Sequence, residues 1–463
     1  MKDSSIRIVD ITIRNLKNVT YGEIDISSKN NVSYEKSDVI GVYGQNGSGK
    51  TAVIDALWFV KSLMCGVPLS DDAGNYISKS TDIAEIETTF NLRRDSIDYH
   101  ITYDFIIKRH LGDTAVIHKE KITYKKYLDE EWTRKSVLID YDYFSKNNTF
   151  LPKDNLARII TADPEAEVDL AVAKKITYKE MRSFVFSEDV FDIINRNPKT
   201  DLFKGEFFLL KELSQYAKRY FFVLHNDRNA AIGLGLFLPF AFNCQINANS
   251  YVSGELAVKL SGPSEIPLRS FEIVKPVVES INVVINKVIP GLQLDVQTYS
   301  EQLNQEGNPT VRIELVSVRG ETRIPLRYES EGIKKIISVI NVLVAMYNNS
   351  GIFVAIDELD AGIFEFLLGE ILGMLQDSGK GQLLFTSHDL RPLEMLEPSS
   401  LVFSTSNPNN RYIRLSGVKK NNNMRDLYIR TINIGGQNEV VYEPTSEDAM
   451  SRAFRKVGRK INE

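Results

Sequence analysis

The stretch GVYGQNGSGKTAVIDAL, residues 41–57, constrains this chain more than any other. A short apolar run, SDVIGVYG, gives way to glycines and then to a helical pattern from Lys50 to Met64, in which Val53, Ile54, Leu57, Val60 and Leu63 recur at helical spacing. Gly44, Gly49, Lys50 and Thr51 match the pattern G-x-x-x-x-G-K-[ST]. A strand, a glycine loop and a helix in that order let successive backbone N–H groups and the helix N-terminus converge on phosphate oxygens. Lys50 then brings a mobile positive charge to the β and γ phosphates, and the Thr51 hydroxyl ligates Mg²⁺. Gly47 and Gly49 permit backbone conformations that a Cβ hinders. The residues expected to cradle ATP are therefore Gly44, Asn46, Gly47, Ser48, Gly49, Lys50 and Thr51.

Holding a triphosphate is not yet chemistry, which needs a carboxylate beside the metal and a group that orients water. The run GIFVAIDELD, residues 351–360, supplies candidates. Asp357 ends an apolar stretch, so it should project from the carboxyl end of a buried parallel strand, where ligands of α/β sheets gather. Its expected role is a Mg²⁺ contact, and Glu358 beside it is placed to act as general base on the attacking water. A second apolar strand, QLLFTSHDL, ends at His388, from which an imidazole could reach a γ-phosphate or its water. A solvated strand end and a structural histidine are the plainer readings of these residues, and the phosphate loop outweighs them. In RYESEGIKKIISVINVLVAMY, Ser330 and Gly332 open a helix whose first N–H groups form an anion site with no lysine of its own. Such a site makes sense as a cap on phosphate held by another copy of the chain; a plain Ser N-cap is the alternative.

Length and composition frame these motifs. The chain has 463 residues, 43% hydrophobic, enough for two or three domains of core. No apolar run is long enough to cross a bilayer and the N-terminus lacks a signal-peptide core, so the cytoplasm is the expected location and no membrane partner is expected. A net charge of −5 gives no global pull toward nucleic acid. Cys65 and Cys244 lack paired spacing and read as buried small hydrophobes.

Alternation in IRIVDITIRNLKNVTYGEIDI and across residues 83–139 predicts antiparallel strands. EAEVDLAVAKKITYKEMRSFVF and FFLLKELSQYAKRYFFVL read as helices, AAIGLGLFLPFAF as a packed loop or partner-facing surface, and the last third returns to an α/β rhythm. The tail SEDAMSRAFRKVGRKINE places Met450, Ala453, Phe454, Val457 and Ile461 on one face of a basic helix, which docks on its own fold or meets a protein partner or nucleic acid. The expected division is 1–160 for the first part of an ATPase head, 161–290 for a helical insertion, 291–420 for the second part of the head, and 421–463 for the tail.

Taken together, the phosphate loop, a long insertion, SEG before a helix, IDELDAG and TSHD resemble ABC-type ATPases of the chromosome-maintenance (SMC), RecF and OLD-like group. Within it the chain looks most similar to stand-alone bacterial phage-defence ATPases such as RloA, PtuA of Septu and AriA of PARIS. The resemblance implies a two-lobed α/β head, with an antiparallel β lobe and an inserted helical lobe, that sandwiches ATP and Mg²⁺ between head-to-tail copies. It implies Lys50 and Thr51 as Walker A ligands, Asp357 as the Walker B carboxylate, Glu358 as catalytic base, Asp360 as an inter-subunit contact, His388 as the switch histidine, and Ser330 and Gly332 as the signature. The chain departs from that pattern in having no Gln between Gln45 and Gln215, where relatives sense Mg²⁺ and water, and in placing Ile363 and Phe364 where many continue Leu-His. OLD-like nucleases carry an acidic nuclease domain after the head, and no such cluster follows His388, so a nuclease would be a separate partner. The implied function is an ATP-hydrolysing sensor or regulator of a separate effector in anti-phage defence, acting as a homodimer or higher homo-oligomer. The alternative is a RecF-like clamp on DNA, gripping through positions such as Lys125, Lys126, Arg134 and Lys135.

Overall fold

The computed structural model describes residues 4–28, 32–145, 149–196, 206–225, 237–247, 250–417 and 423–460. Among these, a six-stranded sheet runs through the middle in the order Tyr412–Ile413, Leu401–Ser404, Asp38–Tyr43, Gln382–Thr386, Phe353–Ile356, Phe221–Leu224. Neighbours are parallel except for the Leu401–Ser404 and Tyr412–Ile413 pair. The strands at its centre are continuous apolar runs because both faces are covered. Strand Gln382–Thr386 lies between the strand that feeds the glycine loop and the strand that ends at Asp357, so all three open at their carboxyl ends onto one crevice.

On one face, helix Lys50–Met64 packs with an antiparallel sheet built on Ser5–Leu16, Val19–Asp25, Ile83–Arg94, Ile97–Arg109, Ala115–Leu128 and Ser136–Asp142. This is the antiparallel lobe that the alternating sequence predicts. Helices Lys153–Ala162, Ala166–Lys179, Glu188–Asn195 and Phe208–Arg219 follow it. On the other face, helices Leu268–Val288, Glu331–Asn348, Glu365–Ser378 and Met424–Ile434 share a second core with a small sheet of Ser264–Pro267, Gln293–Leu303, Pro309–Arg319 and Thr322–Pro325.

Some expectations change. The helix in FFLLKELSQYAKRYFFVL stops at Arg219, and Phe221–Leu224 is a fully buried strand that pairs with Phe353–Ile356. Four consecutive apolar residues fit either periodicity, and the open edge of the parallel sheet decides. In AAIGLGLFLPFAF, residues 230–236 lie outside the described residues, whereas Phe237–Asn247 is not a loop but a strand paired with Ser250–Lys259. Cys65 is half-buried rather than buried, and the side chain of Cys244 lies outside the described residues. The tail helix spans Glu447–Lys460, but every side chain from Glu447 to Val457 is exposed, so it does not dock on its own fold; Ile461 lies outside the described residues. Among the described residues no helix is long and apolar enough to cross a membrane.

Candidate functional site

The glycine loop is held by its surroundings as well as by its own turn. Gly49 caps helix Lys50–Met64 with φ of 88°, and a Cβ there would lie 3.1 Å from Asn18 Oδ1 and from Val19 Cγ2. Gly44 is tighter, since a Cβ would lie 2.0 Å from Ser404 Oγ. The Asn18 side chain donates to Gly47 O, and the Tyr412 hydroxyl donates to Gly49 O at 2.7 Å. These contacts hold the loop from outside, and the Ser48 N–H closes it from within, donating to Gln45 O at 3.2 Å. Ser48 turns back to Gln45 O at 2.6 Å. Asn46 lies between Gln45 and Gly47 in the same loop.

Lys50 donates its ammonium hydrogens to Gly44 O at 2.9 Å and Gln45 O at 3.1 Å. Burial lowers its pKa, and Asp357, Glu358 and Asp360 pull in the opposite direction. Those three carboxylates therefore lie within electrostatic reach of the lysine across the sheet. Thr51 makes the link direct: its hydroxyl is 3.3 Å from Asp357 Oδ1. The same Asp357 oxygen accepts from Thr386 Oγ1 at 2.6 Å, and the Asp357 N–H donates to Leu224 O at 2.9 Å. The strand Phe221–Leu224, unseen in the sequence, thus anchors the backbone of Asp357.

Glu358 has φ of 47°, a left-handed conformation uncommon for a residue with a side chain and a form of strain found at functional sites. Its N–H donates to Thr386 Oγ1 at 2.7 Å. One hydroxyl on the intervening strand therefore fixes both acids. Asp360 Oδ2 accepts from the N–H groups of His388 at 2.9 Å and Asp389 at 3.2 Å, while its Oδ1 is buried with no hydrogen-bond partner. Desolvation, and then the Lys50 charge, hold the His388 imidazole below its usual pKa, against the pull of Asp360, Glu358 and Asp357.

Ser330 caps helix Glu331–Asn348, accepting from Ile333 N at 3.3 Å. Gly332 sits against the loop after Asp360, where a Cβ would lie 1.8 Å from Gly362 O. The chain's own fold thus sets Gly332, just inside the Ser330-capped end of the helix, against the 360–362 loop. One turn further, Lys335 is only 4% exposed. Burial pushes it down to about 8 against the opposing pull of Asp357, Asp360 and Glu358. Neither Lys335 nor Thr386 is among the residues that the sequence motifs single out. Lys335 had a partial signal, since it is spaced with Gly332 and Val339 on one buried stripe, but Lys334, Ser338 and Asn341 of the same helix are buried too and do not set it apart.

The donor set suits Mg²⁺. Among the described residues no group of three or more His, Cys, Asp and Glu gathers as a protein-only metal site. A hydroxyl and a carboxylate 3.3 Å apart instead leave most positions to phosphate oxygens and water, as Mg²⁺ prefers. The basic quartet on the antiparallel lobe is partly engaged: Lys126 is paired with Glu206, and Lys125 sits over the Trp132 ring at 4.6 Å.

No curated protein matches the chain. Solved structures similar to it include an SMC head bound to the C-terminal winged-helix domain of ScpA, at 13% identity, covering 89% of this chain and 98% of that one, with a TM-score of 0.36. An SMC head with an extended coiled coil bound to the C-terminal domain of ScpA, from Pyrococcus furiosus, is 12% identical over 89% of this chain and 96% of that one, with a TM-score of 0.37. The SMC head domain from Thermotoga maritima is 13% identical over 89% and 99%, also with a TM-score of 0.37. Residues 39–394, more than half of the chain and inclusive of the loop, both acids and His388, match the family described as "AAA domain, putative AbiEii toxin, Type IV TA system". The chain belongs to that family of AAA-type ATPase domains.

Proposed function

We propose that this chain is a Mg²⁺-dependent ATPase that closes on nucleotide with a second copy and regulates a separate effector in bacterial anti-phage defence. The observation that carries the catalytic part is the 3.3 Å approach of Thr51 to Asp357, with Glu358 next in sequence and fixed by Thr386. Bound Mg²⁺ would neutralise charge on the β and γ phosphates. Lys50 leaves its carbonyl partners for the phosphates, and the loop N–H groups hold them. Thr51 and Asp357 supply metal ligands. Glu358 takes the proton of the attacking water, and His388 orients that water or the γ-phosphate by hydrogen bonding.

The regulatory part rests on Ser330 and Gly332. Their helix N-terminus is an anion site with no phosphate loop of its own beside it, which a second copy's nucleotide would complete. The family description names a putative AbiEii toxin of a Type IV TA system; the separate effector is carried by the resemblance of the phosphate loop, SEG, IDELDAG and TSHD to stand-alone defence ATPases. Sedimentation of Glu358→Gln with Mg-ATP tests assembly: a shift to dimer or higher is expected, abolished by Ser330→Arg. Co-purification with the product of the adjacent gene, lost in the Ser330→Arg variant, tests the effector. A chain that stays monomeric with nucleotide bound overturns the closure.

A further inference from the structure

Two apolar surfaces on this chain face solvent. The first is a groove of about 280 Å³ between helices Leu268–Val288, Glu331–Asn348 and Glu365–Ser378. Ile336, Leu343, Ile371 and Met374 form its walls, and Leu359 and Ile363 reach it from either side of Asp360. The second is the tail helix Glu447–Lys460. Met450, Phe454 and Val457 are 45%, 80% and 59% exposed and fall at i, i+4 and i+7 on one stripe.

Charge and position point to one occupant. The groove's outer helix, Glu365–Ser378, carries Glu365, Glu370 and Asp377 and no lysine or arginine. The tail helix carries Arg452, Arg455 and Lys456 beside its apolar stripe. Its root is fixed: Gln45, inside the phosphate loop, clasps the main chain of Glu443, donating from Nε2 to Glu443 O at 3.3 Å and accepting from Glu443 N at 3.0 Å. The helix therefore leaves its own chain beside the phosphate loop. When a second copy closes over that loop, the element that arrives is its Ser330-capped helix, whose flank lines the groove.

We infer that the tail helix of one copy docks, apolar stripe inward, in the groove between helices Glu331–Asn348 and Glu365–Ser378 of the second copy. This rests on the head-to-tail closure proposed above. Because Leu359 and Ile363 line the groove, the docked helix bears on the loop that holds Glu358 and Asp360. Each copy would then sense its partner's phosphate loop through that partner's tail.

The test uses full-length Glu358→Gln chains, one carrying Phe454→Cys and the other Met374→Cys, mixed with Mg-ATP and a short bismaleimide. A peptide adduct joining the two positions between chains is expected, increased by nucleotide and lost with Ser330→Arg. Sedimentation of the same samples reads pairing separately. Pairing without the adduct overturns the docking and leaves the closure intact. Absence of pairing overturns both. An adduct formed only within a doubly substituted chain, and not between mixed chains, assigns the helix to its own groove and also overturns the inference. A second variant, Phe454→Glu, should weaken nucleotide-driven pairing by about tenfold or more while nucleotide binding by the separate chain is unchanged; pairing of undiminished strength contradicts the docking.

Discussion

The antiparallel lobe and the carboxyl edge of the parallel sheet each bury a carboxylate, and they surround it differently. Glu120, on strand Ala115–Leu128, is 0% exposed and accepts from Tyr103 OH at 2.7 Å, Ser183 Oγ at 2.5 Å, Phe184 N at 2.7 Å and Val185 N at 3.2 Å. Its lone pairs are occupied by neutral donors, which tie residues 183–185 to the sheet. Burial still raises its pKa, and each of those hydrogen bonds works in the other direction. Asp357 is 1% exposed but shares its crevice with Glu358 and Asp360, and one Asp360 oxygen has no partner. Crowding like charges in a half-dry site is unfavourable unless a cation joins them. Lys50 and Lys335 offset part of that repulsion. Under the function proposed above, a divalent ion bound with nucleotide would offset the rest. A complete set of donors marks architecture, and an acid cluster short of donors marks a place for a ligand.

That contrast can be broken by substitution. Lys50→Ala should remove the phosphate contact and lower kcat/KM for Mg-ATP by about 10³, roughly 4 kcal/mol of transition-state stabilisation, with little change in Tm. Phosphate-release kinetics beside calorimetry read both. Glu120→Ala leaves four donors facing a void and should cost about 3 kcal/mol of stability in urea titrations, while turnover at temperatures where the chain stays folded is preserved. Loss of turnover in a folded Glu120→Ala chain would join the two regions that the comparison separates. Thr386→Val should sharpen it: both acids lose their shared hydroxyl, and kcat should fall about 10- to 100-fold with a higher Mg²⁺ requirement. A Thr386→Val chain with normal kcat would make that hydroxyl a packing group only.

How much of this was legible in the sequence follows from how local each feature is. The phosphate loop is local: strand, glycines and helix are contiguous from Asp38 to Met64, so pattern and geometry coincide. Asp357 and His388 were readable because an apolar run ending in a polar residue marks the open end of a buried strand. Thr386 was not, because its role is to bridge to the neighbouring strand, and nothing in TSH states which strand lies beside it. Phe221–Leu224 was read as helix because its four buried residues carry no period, and only the exposed edge beside Phe353–Ile356 selects the strand. The clasp between Gln45 and Glu443 joins positions 398 apart, which no window on the sequence spans. The Ser330 N-cap is visible in the sequence, but the packing of Gly332 against the 360–362 loop of the same chain is not.

The central claim is that the loop at Lys50 and the acids after Phe353–Ile356 form one hydrolytic site. The direct measurement is Mg-ATP turnover by the wild-type chain and by Glu358→Gln, with bound nucleotide quantified in both. Turnover falling about 10²- to 10⁴-fold while nucleotide binding is kept is the predicted result. Equal turnover in the two chains, or none in the wild type under nucleotide saturation, would contradict the account.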